Sequence, residues 1–96
     1  MIELSVHNDT STIRISGRFD FTCVRDFQEA LRGTTREWVV DLGETNFVDS
    51  SALGMLLLLR ERATASNGRV TVRHLKGQPR DVLMMAKFDR LFTLQD

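Results

Sequence analysis

The sequence predicts an α/β fold, a mixed four- to five-stranded sheet with helices packed on it. Three observations carry this. The N-terminal segments alternate apolar and polar residues with a period of two, as half-buried strands do. The run Trp38-Val39-Val40-Asp41-Leu42 is short and mostly apolar, as a central strand would be. Between and after these stretches the apolar residues recur with the helical period, giving the order β-β-α-β-α-β-α.

Taken in order, Ile2, Leu4 and Val6 alternate with Glu3 and Ser5 in a first strand. Asn8-Asp9 supplies a turn, and Ile13 and Ile15 alternate with Thr12, Arg14 and Ser16 in a second strand, antiparallel to the first. Gly17 ends that strand and leads into Arg18-Phe19-Asp20-Phe21. From Thr22, a suitable N-cap, the residues Cys23, Phe27, Ala30 and Leu31 fall on one helical face, and Gly33 is positioned to stop the helix. The central strand at 38–42 is expected to be covered on both faces, and 43–49 is expected to be a loop. A helix follows from about Ser51 to Ala65, ended by Asn67-Gly68. Val70 and Val72 mark another strand. Pro79 suits the first turn of a helix whose buried stripe would be Val82, Met85 and Ala86. Phe88, Leu91, Phe92 and Leu94 close the chain as a short helix or a last strand.

Composition narrows the function. A chain of 96 residues has room for one domain, residues 1–96, burying roughly 60–70% of its unfolded surface. Thirteen basic and thirteen acidic residues cancel, so no field would draw nucleic acid or an anionic membrane. The single cysteine, Cys23, cannot form an internal disulfide, which suits a reducing cytoplasm. His7 and His74 stand alone, so neither a metal site nor a cofactor is expected. The N-terminus lacks the pattern of a signal peptide, and the longest apolar run, Met55 to Leu59, is far below the ~20 residues needed to span a bilayer. A cytoplasmic protein, monomeric when free, is expected.

The informative stretch is Asp41-Leu42 followed by Phe47-Val48-Asp49-Ser50-Ser51-Ala52-Leu53-Gly54. An apolar strand delivers a polar loop to the start of a helix, where free N–H groups and the helix dipole favour an anion. Asp49 or Ser50 can cap those donors, and a phosphate on Ser50 would be tolerated there. In the helix, Ala52, Met55, Leu56, Leu59 and Ala63 form a core stripe. Leu57 and Leu58 then flank the opposite side near Gly54 and Glu61. They form a docking patch, or one of them lies beneath the C-terminal helix.

These residues resemble the free-standing anti-sigma factor antagonists of the STAS family. That family has a strand ending in Asp-Leu and then Asp-Ser-Ser/Thr-Gly-Leu-Gly at a helix start. Its earlier Gly-Glu-Leu/Ile-Asp turn is matched by Gly17-Arg18-Phe19-Asp20, and its late apolar segment loosely by Met84 to Phe92. The resemblance implies a single STAS domain, phosphorylated on Ser50 by a serine kinase, with Ser51 as the alternative acceptor. It implies that the unmodified form binds an anti-sigma factor and frees the sigma factor, and that a serine phosphatase resets the switch. Asp20, Asp49, Ser50, Ser51, Leu53, Gly54, Leu57 and Leu58 would then meet the partner. Ala52 replaces the family's usual Gly, Arg18 its usual Glu, and the C-terminus is short.

Plainer readings stand beside these. Asp49-Ser50-Ser51 can be an N-cap cluster alone, and Asp20 can simply turn the chain. Asp41 and Cys23 read as structural. A STAS subunit docking on a transporter ATPase or a sensory complex, without serine phosphorylation, is the alternative binding module. A hydrolase needs a base and oxyanion donors around Ser50, and no Gly-x-Ser-x-Gly elbow surrounds it. The chain is therefore expected not to be an enzyme.

Overall fold

The computed structural model describes residues 1–96. Seven strands and three helices follow the order β1 (Ile2–His7), β2 (Thr10–Ile15), β3 (Gly17–Phe19), α1 (Val24–Ala30), β4 (Glu37–Asp41), β5 (Thr45–Val48), α2 (Ser50–Ala65), β6 (Arg69–Arg73), α3 (Gly77–Met85) and β7 (Thr93–Leu94). Short 3-10 turns at Phe21–Cys23 and Phe88–Arg90 precede α1 and β7. The main sheet has five strands in the order β1-β2-β4-β6-β7. β1 runs antiparallel to β2, and the other neighbours are parallel. The mixed sheet with packed helices is the architecture expected.

The pleat sorts the side chains. Ile13, Ile15, Trp38, Val40, Val70 and Val72 point to the helices and join Phe19, Phe27, Leu42, Leu56, Leu59 and Leu83 in one core. α2 contributes the expected stripe of Ala52, Met55, Leu56, Leu59 and Ala63, all buried. Gly68 is held tightly at the start of β6, because a Cβ there would fall on the Arg36 carbonyl.

The other face of the main sheet is open, which corrects the expectation that β4 is covered on both sides. Thr12, Val39 and Thr71 lie side by side on it and are each half-buried. The apolar run 38–42 misled because Val39 belongs to this outer face. The next outer row is Arg14, Asp41 and Arg73. Asp41 is screened from water by its neighbours, with Arg14 Nε and Arg73 Nε each 3.6 Å from Oδ2. Its Oδ1 accepts from Gly43 N–H at 2.9 Å and meets His74 Nδ1 at 2.9 Å. The expectation of a structural Asp41 fits this setting, and His74 does not stand alone.

Four further expectations are revised. Residues 43–49 are not all loop, since Thr45–Val48 form β5, paired with β3 in a second, two-stranded parallel sheet. Alternation fails there because Thr45 is buried, its hydroxyl donating to the Ile15 carbonyl at 2.6 Å. Thr22 is not the cap; Asp20 caps the 3-10 turn and α1 begins at Val24, ending at Ala30 before Gly33 is reached. On α3 the buried residues are Pro79 and Leu83, while Met85 is 83% exposed. Leu4 and Val6 are exposed because β1 is an edge strand beyond the cover of the helices. At the C-terminus both expected forms occur, a 3-10 turn burying Phe88 and then β7.

Leu56 is fully buried, whereas Leu57, the next residue of the same helix, is 42% exposed. Leu56→Ala should therefore cost about 2–5 kcal/mol of stability. Leu57→Ala should stay within about 0.5 kcal/mol of the parent. Urea unfolding of the two variants checks both values, and a large loss in the Leu57 variant would place that side chain in the core.

Candidate functional site

The site is built by the small sheet. β3 and β5 pair in parallel, with Arg18 opposite Phe47 and Phe19 opposite Val48. Each strand then runs one residue further in extended backbone, to Asp20 (φ −135°) and Asp49 (φ −125°). Each of these aspartates caps the helical turn that follows. Asp20 Oδ1 accepts from Thr22 N–H at 3.0 Å and from the Thr22 hydroxyl at 2.6 Å. Asp49 Oδ1 accepts from Ala52 N–H at 3.1 Å. Two parallel strands thus bring two capping carboxylates to neighbouring positions.

Three contacts hold this corner. Gly17 takes φ +82°, the left-handed region that favours glycine, where the chain leaves β2 and the β3–β5 register shifts. Its N–H donates to the Glu44 carbonyl at 2.9 Å. From α3, Gln78 closes the outer edge of β5: its Nε2 donates to the Val48 carbonyl and its Oε1 accepts from Val48 N–H, both at 2.9 Å. Gln78 was not singled out from sequence, because a side chain that completes a strand edge leaves no local pattern.

Ser50 is the first residue of α2 and is exposed. Because Asp49 does the capping, the Ser50 hydroxyl makes no hydrogen bond within the chain. Ser51 is half-buried and equally unbonded, so Ser50 is the more accessible of the two hydroxyls. Along the exposed side of α2 follow Gly54, Leu57 and Leu58, at spacings that keep them on Ser50's side, whereas Leu53 is half-buried and packs against the core. Leu57 and Leu58 are 42% and 43% exposed, so neither lies beneath the C-terminal helix. A Cβ at Gly54 would meet nothing within 4 Å, so this glycine leaves a bare spot rather than relieving a clash. Leu58 continues into a groove between α1 and α2 lined by Gln28, Leu31, Arg32, Glu61 and Arg62. Ala52 is fully buried, so its methyl faces the core rather than the serine.

Sequence reasoning missed Phe21, which follows Asp20 and is 70% exposed. Its exposure depends on tertiary placement, which the sequence does not show. Arg18 is also part of the corner: its guanidinium carbon lies 4.1 Å from the Phe47 ring centre, and its Nε is 3.3 Å from Asp20 Oδ2.

The electrostatics are local. Hydrogen bonds from the Thr22 hydroxyl and N–H, with a smaller contribution from Arg18, hold the Asp20 carboxyl below the ordinary value of 3.8. For Asp41, burial pushes the pKa up. The hydrogen bonds from Gly43 N–H and His74, with the charges of His74 and Arg73, outweigh it and leave the pKa lowered. No group of three or more His, Cys, Asp or Glu is placed to hold a metal ion, and no helix is long and apolar enough to cross a membrane. His74 pairs with Asp41, and neither Ser50 nor Ser51 is hydrogen-bonded to that pair.

The family model described as "Mlab, STAS domain" matches residues 2–95. A STAS-domain containing protein of Pseudomonas aeruginosa (strain UCBPP-PA14) is 42% identical over 86 residues, covering 86% of this chain and 85% of that protein. Among solved structures, the anti-sigma factor antagonist SpoIIAA in its unphosphorylated form aligns with a TM-score of 0.81 at 20% identity, over 100% of this chain and 88% of that one. The phosphorylated form of the same Bacillus protein aligns at 0.73 and 19% identity, over 98% of this chain and 90% of that one. A sulfate transporter family protein from Wolinella succinogenes aligns at 0.80 and 13% identity, over 96% of this chain and 80% of that one. At these identities the solved structures share the fold.

A carboxylate whose pKa is depressed on folding adds stability above its unfolded value and loses it as pH falls through the lower native value. Asp20 and Asp41 should therefore steepen the loss of stability below about pH 3.8. Asp20→Asn and Asp41→Asn should each flatten that acid limb and leave the slope above pH 5 unchanged. Urea midpoints recorded from pH 2 to pH 7 provide the check.

Proposed function

The chain belongs to the STAS-domain family, and from that premise we propose that it is an anti-sigma factor antagonist switched by phosphorylation of Ser50. The unmodified form binds an anti-sigma factor and frees the sigma factor. A serine kinase modifies Ser50 and weakens that binding, and a serine phosphatase restores it. The observation that carries this reading is the division of labour at the start of α2. Asp49 supplies the cap and Ser50 is left exposed with an unbonded hydroxyl. With the cap on Asp49, Ser50 Oγ can take a phosphoryl group without giving up any hydrogen bond inside the chain. The shared fold with SpoIIAA, known in unphosphorylated and phosphorylated forms, supports the same reading.

The mechanism follows from charge and surface. Phosphorylation moves a phosphoryl group from a nucleoside triphosphate to Ser50 Oγ, adding about −1.5 to −2 charges. The new charge arrives next to Asp49 and one paired strand away from Asp20. The partner surface runs from Phe21 across Asp49, Ser50 and Ser51 to Gly54, Leu57 and Leu58, with Asp20 buried beneath it as a cap and Leu53 packed partly on the core. A dry interface fitted to a neutral serine would lose several kcal/mol to desolvation and like-charge contact. At about 1.4 kcal/mol per decade, this is roughly 10²–10³-fold in affinity. The core side of α2 takes no part, so the domain stays folded.

The second reading, a STAS subunit docking on a transporter ATPase or sensory complex without serine phosphorylation, draws on the likeness to the sulfate transporter family protein. Both readings make the chain a cytoplasmic binding module rather than an enzyme. Turnover of a generic ester that vanished in Ser50→Ala would contradict them together.

Ser50→Ala should keep partner affinity within about threefold and accept no phosphate, while Ser50→Asp should weaken binding by about tenfold or more. Intact mass after incubation with the cognate kinase, with calorimetry on the anti-sigma factor, measures both. Phosphate appearing on Ser51 would move the site by one residue, and phosphate on neither serine would favour the transporter reading.

A further inference from the structure

We propose that Arg18 is the internal receptor for a phosphoryl group on Ser50, giving up Asp20 to hold the phosphate. This deepens the reading of Ser50 as the modified residue and rests on it for its physiological meaning.

The argument starts from the strand pairing. Phe19 and Val48 are opposite one another and buried, so Arg18 and Phe47 share the other side, followed by the two caps, Asp20 buried and Asp49 half-buried. The Arg18 guanidinium lies 4.1 Å over the Phe47 ring and reaches forward to Asp20 Oδ2 at 3.3 Å. It thus extends toward the strand ends, where Asp49 hands the chain to Ser50. Only Nε is engaged with Asp20, so both terminal nitrogens remain for an oxyanion. The side chain is 62% exposed, so re-aiming it requires little desolvation.

Asp20 can release Arg18 without being orphaned. Its Oδ1 keeps the Thr22 N–H and hydroxyl, at 3.0 and 2.6 Å. A phosphate on Ser50 would otherwise face Asp49 and Asp20 with no cation from its own helix, since the first basic residue of α2 is Arg60. From the other elements around the corner, α3 and its cap bring Lys76, Arg80 and Asp81, α1 brings Arg25 and Asp26, and the turn before β5 brings Glu44. Arg80 is tied to Asp96 at 3.0 Å, which leaves Lys76 as the competing cation from α3. Arg18 is the only one of these cations lying on the strand paired with β5. A dianion adjacent to a guanidinium binds it more tightly than a singly charged carboxylate does.

The consequence is a phosphate that is held rather than splayed. Its second ionisation should fall below the ordinary value of about 6, because Arg18 favours the dianion. The test uses the full chain with phosphoserine placed at position 50 during translation, so it does not depend on any kinase. Phosphorus NMR titration should give a second pKa lowered by about half a unit or more. Arg18→Gln should raise it by at least that much, Arg18→Lys should restore most of the lowering, and Lys76→Gln should leave it unchanged. A value within about 0.1 unit of the parent in Arg18→Gln, or a value governed by Lys76, would overturn the proposal. Failure of the kinase to modify Ser50 bears on the proposed function, whereas this titration bears on Arg18.

Discussion

The parallel pairing of β3 with β5 is the contact on which the rest of the site depends. It involves only three and four residues, yet it sets two helix starts side by side with an aspartate cap on each. Neither strand is long enough to be stable alone, so the pair is fastened from outside. Gly17 provides the positive-φ turn off β2, the Thr45 hydroxyl ties β5 to the end of β2, and Gln78 closes the far edge. The corner is thereby fixed in its backbone, with Arg18, Phe21 and Ser50 exposed on it and Asp20 buried within it. That combination suits a surface read by a partner.

Within this frame the division between Asp49 and Ser50 has energetic meaning. Losing a helix cap costs about 0.5–2 kcal/mol, a tangible share of a small domain's stability. With the cap assigned to Asp49, a change at Ser50 falls on the surface and leaves the helix start intact. The same helix buries one side and exposes Gly54, Leu57 and Leu58 on the other, so its packed and its open sides are separated around its circumference. Asp41 performs a different task on the open sheet face. It gathers Arg14, Arg73 and His74 around one carboxylate and ties the ends of β2, β4 and β6 together.

Much of this was legible in the sequence where periodicity is long or the motif is dense. The α2 core stripe was read residue for residue because sixteen residues give the helical period room to show. The Asp49-Ser50 helix start was legible because cap residues carry a local chemical signal. β5 was not, since four residues containing a buried threonine do not alternate. The open outer face of β4 was hidden by Val39, whose apolar character said nothing about whether a helix would cover it. The stripe expected on α3 was misplaced, with Met85 and Ala86 exposed and Leu83 buried, because a nine-residue helix buries only a narrow strip. Phe21 and Gln78 depend on tertiary placement and left no pattern to read.

The central claim is that phosphate at Ser50 remakes a surface and leaves the fold alone. Amide hydrogen exchange of the free chain, with and without phosphoserine at position 50, tests it most directly. The account predicts changes confined to residues 18–22, 47–54 and 57–58, with protection of the buried side of α2 and of β4 and β6 unaltered. Loss of protection at Leu56, Leu59, Val40 or Val72 would mean that the phosphate acts by loosening the core, and would contradict it.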